Sequence, residues 1–391
     1  MPTNAYKKDF PFFHAQEIVY LDNAATTQKP QSVLDAMNAY FTQYCANTHR
    51  GSHDLGNKAT QEYEDARRRV AEFIGAGADE LVFTRGTTES INLLASTYVK
   101  DNFDTVILTE LEHHSNILPW QLNELYLEVI PLNEDLNIDL NVYESIVRNN
   151  PKSFVAITHI SNAFGILNPV KELIRIAHKY ECKVLIDGAQ ALAHVKIDVK
   201  ELDVDFYAVS AHKAYGPTGI GALYGKYELL ERMSPYQGGG SMIDDVSFEY
   251  STFLDPPFRF EAGTQAIAEA IGFSAALAYL HETSGNEEHD KLLLSYAKEE
   301  LKKLDEIELY TEADNVMGNI SFNIRGLHHD DIGILLSKQK IMLRTGHHCA
   351  LPIMKRLGIK GTVRLSFALY NTTGDIDICI KALHKAIKVL K

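Results

Sequence analysis

The chain has 391 residues, of which 45% are hydrophobic and 23% charged, and its formal net charge is -14. This length exceeds what one compact core usually holds, so two domains are expected, and the ordinary composition argues against long disordered regions. The negative charge disfavours nucleic acid and anionic membranes as partners, and no stretch approaches the roughly 20 apolar residues that span a bilayer. The polar opening Met1 to Asp9 lacks the apolar core of a signal peptide, so a cytoplasmic location is expected.

The cysteines are few and far apart, and none forms a CxxC pair. They are Cys45, Cys182, Cys349 and Cys379. This spacing indicates neither a disulfide framework nor a four-thiolate zinc site. Any cysteine with a special role must therefore act alone, and a buried apolar environment is the usual fate of the others.

In chain order, a long helix comes first and alternating strands and helices follow it. Tyr63, Ala66 and Val70 recur at helical spacing, and Gly75 suits the left-handed residue that ends a helix. From about residue 80 to 225, short β-branched or aromatic runs alternate with amphipathic stretches, which is typical of a mostly parallel sheet. The predicted strands of this region are Leu81–Thr84, Val106–Thr109, Phe154–Thr158, Val184–Asp187 and Phe206–Ser210.

A second, smaller unit is predicted towards the end of the chain. A charged helix beyond about residue 280 precedes the strand-like runs Ile320–Ile324 and Val363–Phe367, and a closing helix lies near Ile376–Leu390. The fold class is therefore α/β, with a large mostly parallel-sheet domain and a smaller α+β domain. The predicted boundaries are an N-terminal segment, 1–16, that packs with the small domain, a large domain, 17–280, and a small domain, 281–391.

The stretch from Val184 to Gly221 carries the strongest chemical signal. One predicted strand ends at Asp187, followed by Gln190, and another ends just before Lys213, which precedes a glycine-rich turn. Polar groups at the carboxyl ends of strands face the ligand crevice of an open α/β sheet. An aldehyde cofactor needs a lysine for a Schiff base and an anion beside its pyridine nitrogen. Lys213 and Asp187 meet those two needs, although either residue alone would more often be structural.

A phosphate cradle is predicted where the strand at residues 81–84 gives way to a helix. Thr87 and Thr88 stand at this helix start, and exposed amides together with hydroxyls bind phosphate well. Taken alone, the segment would be read as an ordinary threonine cap. In the context of the predicted Lys213 and Asp187, phosphate binding is the favoured interpretation of this segment.

His113 follows another predicted strand, and its imidazole is expected to lie flat on the cofactor ring. Taken alone, it would more often be a histidine of a helix start or a core. A zinc site is disfavoured, because no other histidine or carboxylate stands at a ligand spacing consistent with one helix face. No metal is therefore expected.

Together these motifs resemble the class V aminotransferase family of fold-type I enzymes that use pyridoxal 5′-phosphate (PLP), and within it the cysteine desulfurase and selenocysteine lyase branch. The resemblance runs nearly from end to end of the chain. The matching segments are YLDNAATTQKP from Tyr20, HRGSH at His49, RGTTE at Arg85, EHHSN at Glu112, HISNAFG at His159, DGAQ at Asp187, SAHKAYGPTGIG at Ser210, EAGT at Glu261 and RTGHHCA at Arg344. Nine such segments in the family's order are hard to explain by chance.

The resemblance implies roles for individual positions. Lys213 would bond to the PLP aldehyde, Asp187 and Gln190 would contact the ring, and His113 would stack on it. Thr87, Thr88, Ser210 and His212 would hold the phosphate, with Thr264 reaching the phosphate of a neighbouring subunit in a homodimer. Asn162, Arg344 and Arg364 would bind the substrate. Gln265 departs from the pattern, because proline is frequent after the residue matching Thr264.

Cys349 is the predicted acceptor of the substrate's sulfur. Its segment contains Arg344 and two histidines that favour thiolate, the reactive form, and Gly346 indicates a loop. The resemblance implies that L-cysteine becomes L-alanine while a persulfide forms on Cys349. The RTGHHCA form resembles the branch that serves the SUF sulfur-mobilisation pathway for iron-sulfur cluster assembly. A docking acceptor protein would then collect sulfur from a partly recessed Cys349.

Three alternatives stay open at this point. A selenocysteine lyase could cleave a carbon–selenium bond of L-selenocysteine in the same pocket without the protein thiol. Another class V enzyme, of the kynureninase or aminotransferase kind, is disfavoured by the RTGHHCA segment. A non-catalytic scaffold that kept the fold is disfavoured by Lys213, since such a protein has little chemical reason to retain that lysine.

Overall fold

The computed structural model describes residues 6–49, 51–283, 286–311 and 313–391, without the side chain of residue 286. Arg50, within the predicted HRGSH segment, lies outside the described residues. Residues 1–5 of the predicted N-terminal segment 1–16 also lie outside them.

The order of elements alternates strands and helices through the first two thirds of the chain. The strands are β1 Val19–Tyr20, β2 Leu81–Thr84, β3 Thr105–Thr109, β4 Tyr126–Ile130, β5 Phe154–Thr158, β6 Lys183–Asp187, β7 Phe206–Ser210, β8 Gly221–Gly225, β9 Ile243–Val246, β10 Ser251–Phe253, β11 Ile307–Leu309, β12 Asn319–Ile324, β13 Ile341–Met342, β14 Arg344–Gly346 and β15 Thr362–Ser366. The α-helices are α1 Phe12–Ala15, α2 Gln31–Gln43, α3 Asp54–Phe73, α4 Thr87–Leu94, α5 Lys100–Asn102, α6 Leu118–Leu122, α7 Leu140–Asn149, α8 Val170–Lys179, α9 Val199–Leu202, α10 Tyr227–Leu230, α11 Ile267–Glu282, α12 Asn286–Lys302, α13 His329–Ser337, α14 Leu351–Arg356 and α15 Thr373–Leu390.

A seven-stranded sheet forms the centre of the large domain, in the order β2-β8-β7-β6-β5-β3-β4. Strands β3 to β7 pair in parallel, while β8 runs antiparallel to both β2 and β7. All residues of β5 and β7 are buried, as expected for strands that helices cover on both faces. The prediction of a mostly parallel α/β sheet is confirmed.

Helices pack on this sheet through the apolar faces that their sequences predict. Helix α8 buries Val170, Leu173, Ile174 and Ala177 in the same core cluster as β5 and β6. Helix α3 ends at Phe73, and Gly75 adopts a φ of 75°, the left-handed conformation that glycine tolerates best. The long helix and its end therefore form as predicted.

A smaller four-stranded antiparallel sheet, in the order β11-β12-β15-β14, is built from the last third of the chain. Its hydrophobic cluster includes residues of α12, α13 and α15, together with Val19 and Leu21 from the N-terminal part of the chain. Strand β1 pairs in parallel with β13, and the residue bridge Asp22–Ser366 adds a further connection to β15. The segment around residues 19–22 is thereby tied to the small sheet.

The predicted N-terminal segment contacts parts of both predicted domains. The Phe10 ring lies against the rings of Tyr215, Tyr279 and Tyr370, at centroid distances of 5.9, 5.7 and 4.7 Å. The three domain boundaries stay predictions. In the described ranges, the helices are too short or too polar to cross a bilayer.

Candidate active site

A cavity of about 270 Å³ lies at the carboxyl ends of the central strands, next to the small sheet. Strands β5, β6 and β7 end there at Thr158, Asp187 and Ser210. Every predicted site residue except Thr264 lines this cavity, and the residues in question are Thr87, Thr88, His113, Asn162, Asp187, Gln190, Ser210, His212, Lys213, Arg344, Cys349 and Arg364. The structure thus brings together residues that are as many as 277 positions apart, from Thr87 to Arg364.

Asp187 and Lys213 both line this cavity and interact electrostatically. Burial raises the pKa of Asp187, against the opposing effects of the Ala189 N–H, 3.0 Å from Oδ1, and of Lys213. Burial also lowers the pKa of Lys213, helped by Arg364 and opposed by Asp187. The lysine is therefore easier to deprotonate than a lysine in water, and an uncharged amine is the form that attacks an aldehyde.

The start of α4 forms one wall of the cavity through an unusually close approach of backbone. Gly86 has a φ of 134° and offers no capping side chain to the helix. A Cβ on Gly221 would lie 2.6 Å from Gly86 Cα, so only glycine allows β8 to pass this close. The Ser210 hydroxyl accepts a hydrogen bond from the Thr87 N–H at 2.9 Å. Amides and hydroxyls at a helix start suit a phosphate group.

His113 borders the cavity with a neutral imidazole. Burial, followed by the positive charge of Lys213, lowers the pKa of His113 to about 3. Its Nδ1 accepts a hydrogen bond from the Ser115 N–H at 3.0 Å, which fixes the orientation of the ring. A neutral, fixed ring is suited to lie against a flat aromatic ligand, but its predicted stacking stays a prediction.

Three further predicted cofactor residues differ in how closely they approach the cavity. Gln190 lines it, and its Nε2 donates to the carbonyl of Ala24 at 2.8 Å. His212 lines it with an imidazole whose pKa burial lowers to about 4. Thr264 instead lines a separate cavity of about 440 Å³, together with Arg85 and Gln265. Its predicted contact with a neighbouring subunit therefore stays a prediction.

Two arginines, Arg344 and Arg364, also line the cavity. Arg364 is 2% exposed, and its Nη1 donates to the carbonyl of Asn162 at 2.7 Å. Arg364 Nε is buried and has no hydrogen-bond partner among the described residues. Burial lowers the pKa of Arg364 to about 10, which still leaves it charged at neutral pH. A buried guanidinium with a free donor suits a carboxylate.

Cys349 stands at the rim of the same cavity in a conformationally unusual loop. His348 and Cys349 both have positive φ, 52° and 55°, a region that non-glycine residues seldom occupy. The side-chain amide of Asn162 donates to the His348 carbonyl at 2.6 Å and so holds this loop. The expectation that Cys349 is partly recessed is wrong for the single chain, because its side chain is exposed.

Sequence reasoning missed two residues that position the predicted ones. Asp22 accepts hydrogen bonds from both Arg344 and Arg364, and His114 accepts one from the N–H of Leu351, two residues after Cys349. Both belong to segments that resemble the family, YLDNAATTQKP and EHHSN. Their hydrogen-bond partners lie 237 and 322 positions away in the sequence. The local sequence pattern therefore does not indicate these roles.

The fold and the site define a class V enzyme. Residues 19–379 match the family described as "Aminotransferase class-V", and the chain belongs to this family. It is 44% identical over 98% of its length to a protein of Halalkalibacterium halodurans named "Probable cysteine desulfurase", of which 98% is covered. It is also 42% identical over its full length to the "Cysteine desulfurase" of Dickeya dadantii, of which 98% is covered.

A solved structure gives the same result in three dimensions. The apo structure of a cysteine desulfurase from Thermococcus onnurineus NA1 superposes with a TM-score of 0.94 at 39% identity. The superposition covers all of this chain and 98% of that one. The predicted family and fold class are thereby confirmed.

Proposed function

We propose that the protein is a cysteine desulfurase, which uses PLP to convert L-cysteine to L-alanine and retains the sulfur as a persulfide on Cys349. The observation that carries this proposal is that the Cys349 thiol, the Lys213 amine and the Asp187 carboxyl line one cavity. Relatives of 42–44% identity along the whole chain bear the name cysteine desulfurase, which supports the same activity. These names do not favour the selenocysteine lyase alternative.

The residues present fit PLP at each of its polar groups. Lys213, with its lowered pKa, would bond to the aldehyde, and the buried Asp187 would pair with the pyridine nitrogen. The uncapped start of α4 would take the phosphate, with the residues Thr87, Thr88, Ser210 and His212 around it. His113 would lie against the ring, Gln190 would contact its phenolic oxygen, and Thr264 would serve a partner subunit. When bound, PLP supplies an electron sink for the bonds at the substrate's α-carbon.

Arg364 is the proposed partner of the substrate carboxylate. Its buried Nε lacks a partner among the described residues, and a carboxylate oxygen would satisfy it. Asn162 fixes this guanidinium through the carbonyl that accepts from Nη1. The substrate would therefore be held at one end by its carboxylate, with its amino group towards Lys213.

Lys213 is the proposed base. Burial and the nearby Arg364 lower its pKa, which favours the neutral amine that can accept the proton of the substrate's α-carbon. Asp187 and Cys349 oppose this lowering. The same Nζ can return a proton to the product.

Cys349 is the proposed sulfur acceptor. Its Sγ bonds to the substrate sulfur as the substrate's Cβ–S bond breaks, and the electrons of that bond stay with Cβ. The carbon takes up a proton and leaves as L-alanine, while the protein retains the sulfur as Cys349 persulfide. The sulfur is oxidised and the carbon is reduced, so no outside oxidant is needed. Because the Cys349 side chain is exposed, a sulfur-acceptor protein could collect the sulfur directly.

Wider features of the proposal follow from the resemblance. The protein would act as a homodimer in the cytoplasm and would deliver sulfur through an acceptor protein for iron-sulfur cluster assembly. Neither nucleic acid nor membrane would be a partner, in keeping with the net charge of -14.

The experiment that tests the activity supplies L-cysteine to the PLP-loaded protein, assays L-alanine, and locates persulfide by mass spectrometry. We expect alanine in amounts that grow with time and an added sulfur on the peptide that contains Cys349. The Cys349→Ser variant should keep its PLP absorption and lose persulfide. Normal sulfur transfer by that variant would overturn the role of Cys349, and absence of alanine from the wild type would overturn the activity.

A further inference from the structure

His348 is a buried residue of the central cavity that has no role in the proposed reaction. It lines the same cavity as Arg364 and Cys349, and only 6% of it is exposed. Its Nε2 lies 2.8 Å from the hydroxyl oxygen of Thr362, a fully buried residue. Its Nδ1 is buried and has no hydrogen-bond partner among the described residues. A buried polar atom without a partner is destabilising, so a ligand that pairs with it binds more tightly.

The contact with Thr362 indicates which ring nitrogen of His348 carries the proton. In the part of the chain that the structure describes, the Thr362 hydroxyl has no other hydrogen-bond partner, so it donates to Nε2. Burial, followed by the positive charge of Arg364, lowers the pKa of His348 to about 2, so the ring is neutral at neutral pH. A neutral imidazole has one N–H, and with Nε2 accepting, that proton is on Nδ1. Nδ1 is therefore an unpaired donor.

His348 and Arg364 are held as neighbours by two further residues. Thr362, the partner of the His348 ring, is two positions before Arg364 on β15, so both side chains lie on the same face of the small sheet. The side-chain amide of Asn162 donates to the His348 carbonyl at 2.6 Å, and its backbone carbonyl accepts from Nη1 of Arg364 at 2.7 Å. Nε of Arg364 is also buried without a partner in the described ranges. Two unpaired donors thus belong to one cavity, and a carboxylate has two oxygens.

We infer that His348 is a further substrate-binding residue: its Nδ1–H donates to one oxygen of the substrate's α-carboxylate, while Nε of Arg364 donates to the other. The carboxylate is preferred to the substrate's sulfur because a sulfur atom is a weak acceptor, whereas an N–H bond to a carboxylate is charge-assisted. This inference rests on the proposed function in taking an amino acid as the substrate.

His348 could instead serve only to hold the loop of Cys349 through Thr362. Two substitutions separate these roles, because each keeps the hydrogen bond of one ring nitrogen. The amide oxygen in His348→Gln can take the place of Nε2 and accept from Thr362, but nothing replaces the Nδ1 donor. The amide nitrogen in His348→Asn takes the place of Nδ1 and donates, but the contact with Thr362 is lost. A role as base for the Cys349 thiol is disfavoured, because so weakly basic a ring does not hold a second proton at neutral pH.

The test measures dissociation constants by absorption titration of the PLP-loaded protein with L-alanine and with ethylamine, which is L-alanine without its carboxylate. In His348→Gln the constant for L-alanine should rise about tenfold, because a hydrogen bond to a charged acceptor is lost, and the constant for ethylamine should change less than about twofold. In His348→Asn both constants should stay within about threefold of the wild-type values. A role in holding the loop alone predicts the opposite order, with His348→Asn the weaker binder.

Equal L-alanine constants in the wild type and His348→Gln overturn the inference, and so does an equal rise in His348→Gln and His348→Asn, because the restored donor then has no effect. If His348→Gln fails to fold, a crystal structure of the PLP-loaded wild type with L-alanine decides. Nδ1 must lie within about 3.2 Å of a carboxylate oxygen, and a longer distance overturns the inference. L-Alanine carries no sulfur, so its binding does not depend on desulfurase activity, which alanine production from L-cysteine tests separately.

Discussion

The backbone N–H of His114 donates a hydrogen bond to the carbonyl oxygen of Cys349 at 2.8 Å. The His114 ring also contacts this loop: its Nε2 accepts a hydrogen bond from the N–H of Leu351 at 3.1 Å. His114 follows β3 of the large sheet, whereas Cys349 follows β14 of the small sheet. The loop that carries the thiol, in a left-handed conformation that costs on the order of 1 kcal/mol per residue, is therefore held by the other domain.

We expect loss of the His114 ring to slow sulfur transfer. His114→Ala removes the acceptor for the Leu351 N–H, so the Cys349 loop should sample other conformations and form persulfide about tenfold more slowly, with little change in KM. His114→Gln supplies an alternative acceptor and should recover most of the rate. The measurement is single-turnover persulfide formation, with His384→Ala, an exposed histidine of α15, as the control. Wild-type rates in His114→Ala would show that the backbone bond alone suffices.

The exposure of the four cysteines predicts a pattern of chemical modification. Cys45 and Cys349 are exposed, whereas Cys182 and Cys379 are buried, and burial raises the pKa of the Cys379 thiol to about 12. Iodoacetamide should therefore modify the first pair in the folded protein and spare the second. After incubation with L-cysteine, iodoacetamide should alkylate the outer sulfur of the Cys349 persulfide, so dithiothreitol should release the label from Cys349 by cleaving the S–S bond. The label on Cys45, the matched control, is a thioether and should stay; release from both cysteines would contradict that explanation.

The sequence predicts the central strands well, because runs of apolar residues indicate directly which segments are buried. The apolar runs Phe154–Thr158 and Phe206–Ser210 are strands with the predicted bounds. Two other strands begin one residue earlier than predicted, at Thr105 and Lys183, because backbone pairing continues past the last apolar side chain. The sequence pattern places Gly221 at the end of a glycine-rich turn and predicts no strand after it, yet Gly221–Gly225 is a strand that pairs with β2 and β7.

For the site, the sequence predicts which residues take part in the reaction but not which residues hold them in position. Lys213 and Asp187 follow strands of one sheet, so their convergence could be expected from topology. Asp22 and His114 act through partners 322 and 237 positions away, and only packing of the small sheet against the large one brings them there. The exposed hairpin β9–β10 was likewise missed, because its polar residues lack the alternation of a half-buried strand.

Gly188 should be intolerant of any side chain. A Cβ at this position would lie 2.0 Å from Cε1 of Tyr207, a fully buried ring whose hydroxyl is bonded to Nδ1 of His159 at 2.7 Å. Gly188→Ala should therefore lower the free energy of unfolding by about 1–3 kcal/mol or more, and weaken PLP binding by displacing the adjacent Asp187. The control is Gly240→Ala, where a Cβ meets no atom within 4 Å. Urea unfolding measures the stability and PLP titration measures cofactor binding. Equal urea midpoints for Gly188→Ala and Gly240→Ala would refute the prediction.

His159 should make the stability of the protein sensitive to acid. Burial lowers its pKa from 6.5 to about 4, so the folded protein keeps the ring neutral while the unfolded chain protonates it near pH 6.5. Below that pH the unfolded state binds more protons, so the stabilisation is complete above pH 6.5 and is lost as the pH falls towards 4. Between pH 7.5 and 5.0 the loss attributable to this residue is about 2 kcal/mol. His159→Asn, which keeps a polar partner for Tyr207, should be less stable at pH 7.5 but should lose about 2 kcal/mol less than the wild type over that interval. Denaturant unfolding at the two pH values measures the difference. Equal losses of unfolding free energy in the wild type and in His159→Asn would mean that folding does not lower the pKa of His159.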